Sequence, residues 1–223
     1  MRMCKPFTLG LGLLLALVLS SCGMILSAID GGDESFIHGE RVTLSGKLLN
    51  WPGGTGVIYN VHSEPQELGQ TNPMTGSIQN DGSFTITLTY PPPWNALDTL
   101  DDCGGAIQIS DPTVQVTEFM AQVKDQNGNI IGSAEERNTS IPGPKKGAKL
   151  MMYIFAEGDV SYRGTCTQGD TTVTADVNLK QGWNAVVLEI TDVKTSNGFQ
   201  VASGIKQYVA TSEAGFNWYF DAW

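Results

Sequence analysis

The most regular feature of this chain is a strict alternation of apolar and polar residues, which is typical of β-strands that bury one face. Residues 83–90 (SFTITLTY) place four large apolar side chains on one face and serine or threonine on the other. Residues 41–48, 172–180 and 216–223 follow the same period of two. These segments predict strands that are spread over most of the chain.

Two other segments are apolar on both faces. Residues 150–156 (LMMYIFA) and 183–190 (WNAVVLEI) carry few polar side chains, which predicts central strands covered on both sides. In residues 114–123 the apolar side chains first occupy even-numbered positions (Val114, Val116) and then odd-numbered ones (Phe119, Ala121, Val123). We therefore expect a bulge, or a strand that changes sheets, near Thr117.

Turn residues separate these segments. Asn80-Asp81-Gly82 precedes the strand at 83, Asn127-Gly128 separates two apolar stretches, and Gln181-Gly182 precedes the segment at 183. Strands at such short intervals with turns of this kind predict a β-sandwich. Residues 94–100 follow three prolines and place apolar residues three apart, which predicts one short helix.

The composition agrees with an all-β fold. The chain has 26 glycines, 10 prolines and only 16% charged residues, which suit short strands and turns better than helices. The sequence leaves open whether the body is one sandwich or two packed sub-sandwiches. Residues 142–146 form a basic, Pro/Gly-rich loop, which would place a boundary near 140–148.

The first 21 residues have the pattern of an export signal. Arg2 and Lys5 precede residues 7–19, an uncharged apolar run that is shorter than the ~20 residues needed to span a bilayer. Leu19-Ser20-Ser21-Cys22 then resembles the lipobox of bacterial lipoproteins. The resemblance implies cleavage before Cys22, a diacylglycerol thioether on its sulfur, and an acyl chain such as palmitate on its new amine.

We therefore predict a lipoprotein signal peptide at 1–21, a lipid-attached tether at 22–35 and the β-sandwich body at 36–223. Residues 23–35 suit a tether because most of them lack a strand pattern and the last part is rich in glycine and acidic residues. Two alternatives stay open. One is an uncleaved apolar anchor that continues through residues 24–26, and the other is ordinary signal cleavage without lipid.

Outside the signal and Cys22, the chain has two cysteines, Cys103 and Cys166. An even pair in an exported chain predicts a disulfide, because the compartment is oxidising. Closing a loop of about 60 residues would stabilise the fold by roughly 4 kcal/mol. A metal site or a redox pair is the alternative, but the short spacings that thiolate sites use, such as C-x-x-C, are missing.

Residues 42–51, followed by Thr75-Gly76-Ser77 and by residues 80–86 (NDGSFTI), resemble the opening of transthyretin-like or carboxypeptidase-regulatory-like modules. In those modules a strand leads through a decorated loop to a hairpin. The resemblance implies an immunoglobulin-like or transthyretin-like β-sandwich and a family that is mostly non-catalytic. It covers only the N-terminal part of the predicted body, and residues 91–223 match no family pattern.

The charge of the chain bears on its partners. The net charge is −10, and removal of Arg2 and Lys5 with the signal would lower it to −12. Nucleic acid is therefore not an expected partner. Asp98, Asp101 and Asp102 form an acidic stretch that could hold a cation or supply hydrolytic carboxylates, but a solvated loop is the better explanation because nothing fixes the geometry of the carboxylates. We predict no cofactor.

Other motifs for chemistry are weak. Residues 125–129 (DQNGN) begin like a calcium loop, but Ile130 stands where such a loop needs glycine, so a hairpin is expected. The two histidines, His38 and His62, lack metal-ligand spacing. Trp51 and Trp223 are the tryptophans that we would expect to be exposed enough to stack on a sugar.

These observations predict a non-enzymatic protein that is anchored by lipid to a membrane of the bacterial cell envelope. The outer membrane is one of the membranes that this prediction allows. It would act as a structural or protein-interaction module, with the membrane and an envelope protein or polysaccharide as partners. One alternative is a carbohydrate-binding lipoprotein that uses Trp51 and Trp223. Another is an envelope hydrolase that uses Asp98, Asp101 and Asp102.

Overall fold

The computed structural model describes residues 35–61, 74–90, 98–99, 106–141 and 143–223. These residues form sixteen strands and contain no α-helix, so the fold class is all-β, as predicted. The strands are β1 (His38–Gly39), β2 (Val42–Lys47), β3 (Gly56–Asn60), β4 (Thr75–Ile78), β5 (Ser83–Leu88), β6 (Asp98–Thr99), β7 (Ile107–Ile109), β8 (Gln115–Phe119), β9 (Ala121–Asp125), β10 (Ile130–Arg137), β11 (Lys149–Ala156), β12 (Val160–Gln168), β13 (Thr171–Leu179), β14 (Gly182–Ser196), β15 (Phe199–Val209) and β16 (Asn217–Ala222).

The four segments with strict alternation are strands β2, β5, β13 and β16. In β5, Phe84, Ile86 and Leu88 are buried, and the residues between them are more exposed. Tyr90 lies on the same predicted face but past the end of the strand, and it is exposed. The alternation thus predicted both the strand and its buried face, and failed only at the residue where the strand stops.

The short helix predicted for residues 94–100 is wrong at the two positions that are described. Asp98–Thr99 forms β6, which pairs antiparallel with β8 by placing Asp98 opposite Val116 and Thr99 opposite Gln115. The rest of that segment lies outside the described residues. Pairing with a strand more than fifteen positions away overrode the local spacing of apolar residues.

Hydrogen bonds join the strands into one mixed sheet in the order β2-β5-β4-β3-β9-β10-β11-β14-β15-β13-β12-β7. Among the ladders between described strands, only β13–β15 is parallel. β16 pairs with β10, and Leu49, just after β2, forms a parallel bridge with Tyr219 of β16. The path from β2 through β10 and β16 therefore returns to its start and encloses a core.

The buried side chains form two clusters. The first lies within the strands from β2 to β10 and β16, and includes Leu44, Ile58, Phe84, Val123 and Trp218. The second lies against β12 and β13, and includes Ile107, Val160, Tyr162, Val177 and Leu179.

β11 and β14 contribute to both clusters. In β11, Tyr153 and Phe155 belong to the first cluster, and Ile154 belongs to the second. In β14, Trp183 belongs to the first and Val186 to the second, and both side chains are fully buried. The prediction that residues 150–156 and 183–190 form strands covered on both sides is confirmed.

The bulge or change of sheet expected near Thr117 is instead a change of pairing partners within the one sheet, three residues later at Met120. β8 ends at Phe119 and pairs with β11, whereas β9 begins at Ala121 and pairs with β3 and β10. The Met120 backbone N–H donates a hydrogen bond to the side-chain oxygen of Asn60 at 3.1 Å. This buried amide satisfies the backbone group that the change of partner would otherwise leave unpaired.

Two of the predicted turns are each held by an aspartate. The Asp81 carboxylate accepts hydrogen bonds from the Ser83 hydroxyl at 2.7 Å and the Ser83 backbone N–H at 3.0 Å, which lower its pKa to about 2. The Asp125 carboxylate accepts hydrogen bonds from the backbone N–H groups of Asn129 and Asn127 at 2.9 and 2.8 Å, which lower its pKa as well. Asp125 thus shapes the hairpin between β9 and β10.

Residues 32–223 form one compact unit. The strands on either side of the loop at 140–148, β10 and β11, pair directly through Glu136–Met151 and Arg137–Leu150. The predicted signal peptide at 1–21 and nearly all of the predicted tether lie outside the described residues.

Candidate functional site

Glu136 is an acidic residue at a core-facing position of β10. Along this strand Gly132, Ala134 and Glu136 are buried, and the residues between them are more exposed. Glu136 lies opposite Met151 of β11 and Trp218 of β16, and only 4% of it is exposed. The period of two therefore places a carboxyl at a position where the rest of the strand carries small residues.

The Glu136 carboxyl has one hydrogen-bond partner among the described residues, the hydroxyl of Tyr153, which donates to Oε2. Burial raises the pKa of Glu136 to about 7, although the hydrogen bond from Tyr153 opposes the rise, and the negative charge of Glu213 adds to it. Burial and the charge of Glu136 also raise the pKa of Tyr153. At neutral pH the carboxyl is therefore shared between its protonated and ionised forms, while the phenol keeps its proton.

A cavity of about 210 Å³ lies beside this pair, and Phe119, Met120, Tyr153 and Trp218 are part of its lining. The rings of Tyr153 and Trp218 are stacked with centroids 6.1 Å apart, and the Phe119 ring lies 6.5 Å from that of Tyr153. No described side-chain oxygen or nitrogen is both enclosed and without a hydrogen-bond partner. Among the described residues, Oε1 of Glu136 accepts no hydrogen bond, so it is not fully enclosed, and Glu136 is part of the cavity lining.

Two more glutamates border the cavity, but their carboxyls are directed elsewhere. Glu135 accepts a hydrogen bond at 2.8 Å from Arg137, on the opposite face of β10. Glu118 lies opposite Ile154, whose side chain packs in the second core cluster, and its charge acts on a tyrosine of that cluster. Among the described lining residues, Glu136 therefore presents the carboxyl that faces the cavity, and none of these residues is basic.

The opposite face of β10 carries a second buried charge, Arg137. Its guanidinium donates two hydrogen bonds to Asp221 and one to Glu135, and its Nε donates to the Thr139 carbonyl at 3.0 Å. It also lies over the Tyr219 ring, 4.6 Å from the centroid. Asp221 and Glu135 raise its pKa. This network is satisfied within the chain and joins β10 to β16.

The two candidate tryptophans have different environments. Trp51 is half-buried: its Nε1 donates a hydrogen bond to the Gly54 carbonyl at 3.0 Å, and its ring packs edge-on against Phe220 at 5.3 Å. Trp223 is 74% exposed, and its backbone N–H donates to the Ile131 carbonyl at 3.2 Å. Trp51 is thus committed to packing, and Trp223 has the accessible indole.

The cysteine predictions are only partly covered by the described residues. Cys166 lies in β12 and is buried in the second core cluster. It is not a free thiol, and its partner lies outside the described residues. Cys22 and Cys103 also lie outside them, so lipidation of Cys22 and pairing of Cys103 with Cys166 stay predictions.

The acidic stretch is likewise only partly covered. Asp98 contributes backbone to β6, while Asp101 and Asp102 lie outside the described residues. The metal and hydrolase hypotheses for these aspartates therefore stay predictions. Within the part of the chain that is described, no three His, Cys, Asp or Glu side chains come together as metal ligands.

The same part of the chain contains no helix that is long and apolar enough to cross a membrane.

The chain was compared with protein-family models, with curated proteins and with solved structures, and none of the three comparisons found a match.

The pair of Glu136 and Tyr153 is the functional candidate that sequence reasoning missed. Its signal was present: after the Asn127-Gly128 turn, the period of two places Glu136 in phase with Gly132 and Ala134, on the core face. The arrangement offers one open, partly ionised oxygen in an aromatic cavity. Such a group can accept a hydrogen bond, give up a proton or pair with a cation.

Proposed function

We propose that this chain is a lipid-anchored protein of the bacterial cell envelope whose folded part is a non-catalytic structural or interaction module. The observation that carries the proposal is the sequence Leu19-Ser20-Ser21-Cys22 after a short apolar run. The compact unit begins at residue 32, soon after Cys22, which leaves a short connection between anchor and fold. Two or three acyl chains on one cysteine give stable anchoring, whereas one chain binds only marginally.

The non-catalytic part of the proposal is supported by the structural roles of three aspartates. Asp81 and Asp125 hold turns, and Asp111 accepts hydrogen bonds from the hydroxyl and backbone N–H of Thr113. These hydrogen bonds lower the three pKa values and keep the carboxylates ionised and occupied. A general acid or base needs a carboxyl whose pKa is near its working pH, and these three aspartates do not meet that condition. Glu136, with a pKa of about 7, does meet it, and we propose a binding role for it below.

We also propose that the body is two packed sub-sandwiches that share β11 and β14. The two core clusters, with strands that contribute side chains to both, support this architecture. The resemblance to transthyretin-like modules concerns residues 42–51, 75–77 and 80–86, which include β2 and parts of β4 and β5, strands around the first cluster.

A Cys103–Cys166 disulfide would fasten the second sub-sandwich. β7 pairs with β12 so that Ile109 lies opposite Tyr162 and Ile107 opposite Gly164. Cys166 lies in β12, and Cys103 precedes β7 by a few residues in the sequence. The pairing of these two strands supports the proposed disulfide.

The anchoring proposal is tested by Cys22→Ser, with Cys4→Ser as the matched control because Cys4 lies in the predicted signal. Both variants and the wild type are expressed in a bacterium and partitioned between detergent and aqueous phases. We expect the wild type and the Cys4 variant in the detergent phase and the Cys22 variant in the aqueous phase or retained as precursor. A Cys22 variant that partitions like the wild type, with the same mass, would refute lipidation at this residue.

A second candidate function, carbohydrate binding, is favoured by the exposure of Trp223. Its chain segment runs beside an open groove of about 550 Å³ whose lining includes Pro52, Ile131, Phe220 and Asp221. An exposed indole beside a groove of this kind can stack on a sugar ring. The test is co-sedimentation of the detergent-solubilised protein with envelope polysaccharide. Trp223→Ala should abolish pelleting, whereas Phe199→Ala, equally exposed on the β14–β15 hairpin, should not.

A further inference from the structure

We propose that the cavity beside Glu136 binds a slender cationic group, the ammonium of a lysine-like amine or the guanidinium of an arginine-like one. The site consists of the Glu136 carboxyl at its base and the Tyr153 and Trp218 rings in its wall. The inference concerns the folded part and holds whether or not Cys22 carries lipid.

The charge around the cavity requires a positive ligand. Glu136 meets no basic side chain among the described residues, and Glu213, the other charged group that acts on it, is also negative. The neighbouring cation of β10, Arg137, lies on the opposite face and is already matched by Asp221 and Glu135. A cation in the cavity would therefore compensate a buried carboxylate that the fold leaves without a counter-ion.

The geometry of Glu136 prepares one oxygen for this contact. Oε2 accepts the hydrogen bond from the Tyr153 hydroxyl, which fixes the carboxyl, whereas Oε1 accepts none among the described residues and is not fully enclosed, and Glu136 lines the cavity. The carboxyl is almost completely buried, so the contact would form in a medium where charge pairing is stronger than in water.

The walls and the volume restrict the ligand further. Phe119, Tyr153 and Trp218 bring aromatic surface to the cavity, and such rings attract ammonium and guanidinium groups. The volume of about 210 Å³ is below the ~300 Å³ at which pockets for whole drug-sized ligands begin. The cavity therefore suits the end of a side chain or an unbranched amine rather than a large ligand.

The test uses the full chain in detergent and measures binding of n-butylammonium and n-butylguanidinium by calorimetry, with n-butanol as the neutral control. We expect saturable binding of at least one cation and none of the alcohol. Glu136→Gln should weaken binding roughly tenfold or more, because it removes the charge and keeps the shape. Glu157→Gln is the matched control and should change the affinity by less than about twofold, since this exposed glutamate is not part of the cavity lining.

The pH dependence supplies a readout that a merely structural carboxyl would not give. The cations stay protonated between pH 6 and pH 8, while the Glu136 carboxyl, with its pKa of about 7, ionises. Affinity should rise about tenfold over this interval in the wild type, and binding at pH 7 should release about half a proton. Tyr153 stays protonated over this range because its pKa is raised, so it does not produce the rise. Burial also raises the pKa of Glu118, which borders the cavity, so the rise is measured in Glu118→Gln as well and should persist there.

The proton release needs no variant, so it decides the matter even if Glu136→Gln fails to fold. Equal binding by Glu136→Gln, equal binding of butanol, or no proton release would overturn the proposal. A pentapeptide with a central lysine or arginine separates the two sources of the cation. Tighter binding of the peptide than of the free amine would identify a partner protein, and the reverse would identify a small amine.

Discussion

Glu136 and Arg137 are adjacent in β10 and both are buried, but their charges have different environments. Arg137 contacts the carboxylates of Asp221 and Glu135, so its ionised form is matched within the chain. Among the described residues, the Glu136 carboxyl contacts the phenol of Tyr153 and no cation. Burial therefore penalises the ionised form of Glu136, and its pKa rises to about 7.

We predict that this carboxyl makes the stability of the fold depend on pH. The folded-state pKa lies above the ordinary value of 4.5, so between these values the folded protein holds a proton that the unfolded chain has lost. The free energy of unfolding should fall as pH rises from about 5 to about 7, by roughly 3 kcal/mol, and then level off.

The Glu136→Gln variant isolates this effect, because glutamine still accepts the Tyr153 hydrogen bond and carries no charge. Urea unfolding at pH 5 and pH 8 measures it. The wild type should lose clearly more stability between the two values than the variant, which keeps the contribution of Glu118, whose pKa is also raised by burial. A variant that declines as much as the wild type would place the titration on another group.

A second prediction at this scale concerns Asp221. Asp221→Asn removes the carboxylate that lies closest to the Arg137 guanidinium. The guanidinium is only 5% exposed, so its positive charge would then be buried with less negative charge beside it. We expect a loss of roughly 2–4 kcal/mol in the free energy of unfolding. Asp192→Asn is the matched control, since Asp192 and Lys146 form an exposed pair at 3.8 Å and should contribute little. Equal losses in the two variants would contradict the assigned role of Asp221.

At the scale of elements, β10 is the strand at which the ladders meet. It pairs with β9, with β11 and with β16, and its residue Gly132 lies opposite Ala222 of β16. A Cβ at Gly132 would lie 2.1 Å from the Asp221 carbonyl oxygen and 2.8 Å from the Phe220 ring. Only glycine lets the two strands come this close.

We therefore predict that Gly132→Ala destabilises the fold by about 1–3 kcal/mol, because β10 and β16 must move apart. Gly158→Ala is the control: its Cβ would lie 3.4 Å from a Val114 methyl group, an ordinary contact. Thermal unfolding of both variants measures the difference. If Gly158→Ala is as destabilising as Gly132→Ala, the close approach of β16 to Gly132 is not the cause of the loss.

The elements also show how far local patterns reach. The alternation in residues 83–88 and 172–179 predicted the strands and their buried faces, because the period of two is a local property. It could not predict β6, whose two residues become a strand by pairing with β8. It placed a bulge or a change of sheet near Thr117, whereas the chain changes pairing partners three residues later, at Met120, whose N–H donates to the Asn60 side chain.

At the scale of the whole molecule, β11 and β14 connect the two core clusters. Trp183 and Val186 are fully buried on opposite sides of β14, so neither cluster is complete without this strand. A disturbance in the second cluster is therefore expected to reach the first through shared strands.

The predicted disulfide belongs to this scale. Cys166→Ser should lower the free energy of unfolding by roughly 4 kcal/mol, since the bridge would close a loop of about 60 residues in the unfolded chain. Peptide mapping without reduction should recover Cys103 joined to Cys166. Adding reductant should destabilise the wild type by a similar amount and leave the variant unchanged. A peptide that joins Cys166 to another cysteine would refute the pairing.

The sequence by itself determined the all-β class, the position of most strands and the two strands covered on both sides, because each depends on the period of residues that are neighbours in the chain. The lipobox resemblance at Cys22 is equally local. The period of two along β10 also placed Glu136 on the same face as Gly132 and Ala134.

Only the tertiary structure decided what surrounds that glutamate. Tyr153 comes from β11 and Trp218 from β16, strands that the chain reaches later and that pair with β10 on the two sides of its C-terminal end. The raised pKa of Glu136 and the cavity beside it follow from those contacts. The pattern along a single strand shows which face a side chain takes, but its electrostatic environment depends on residues distant in sequence.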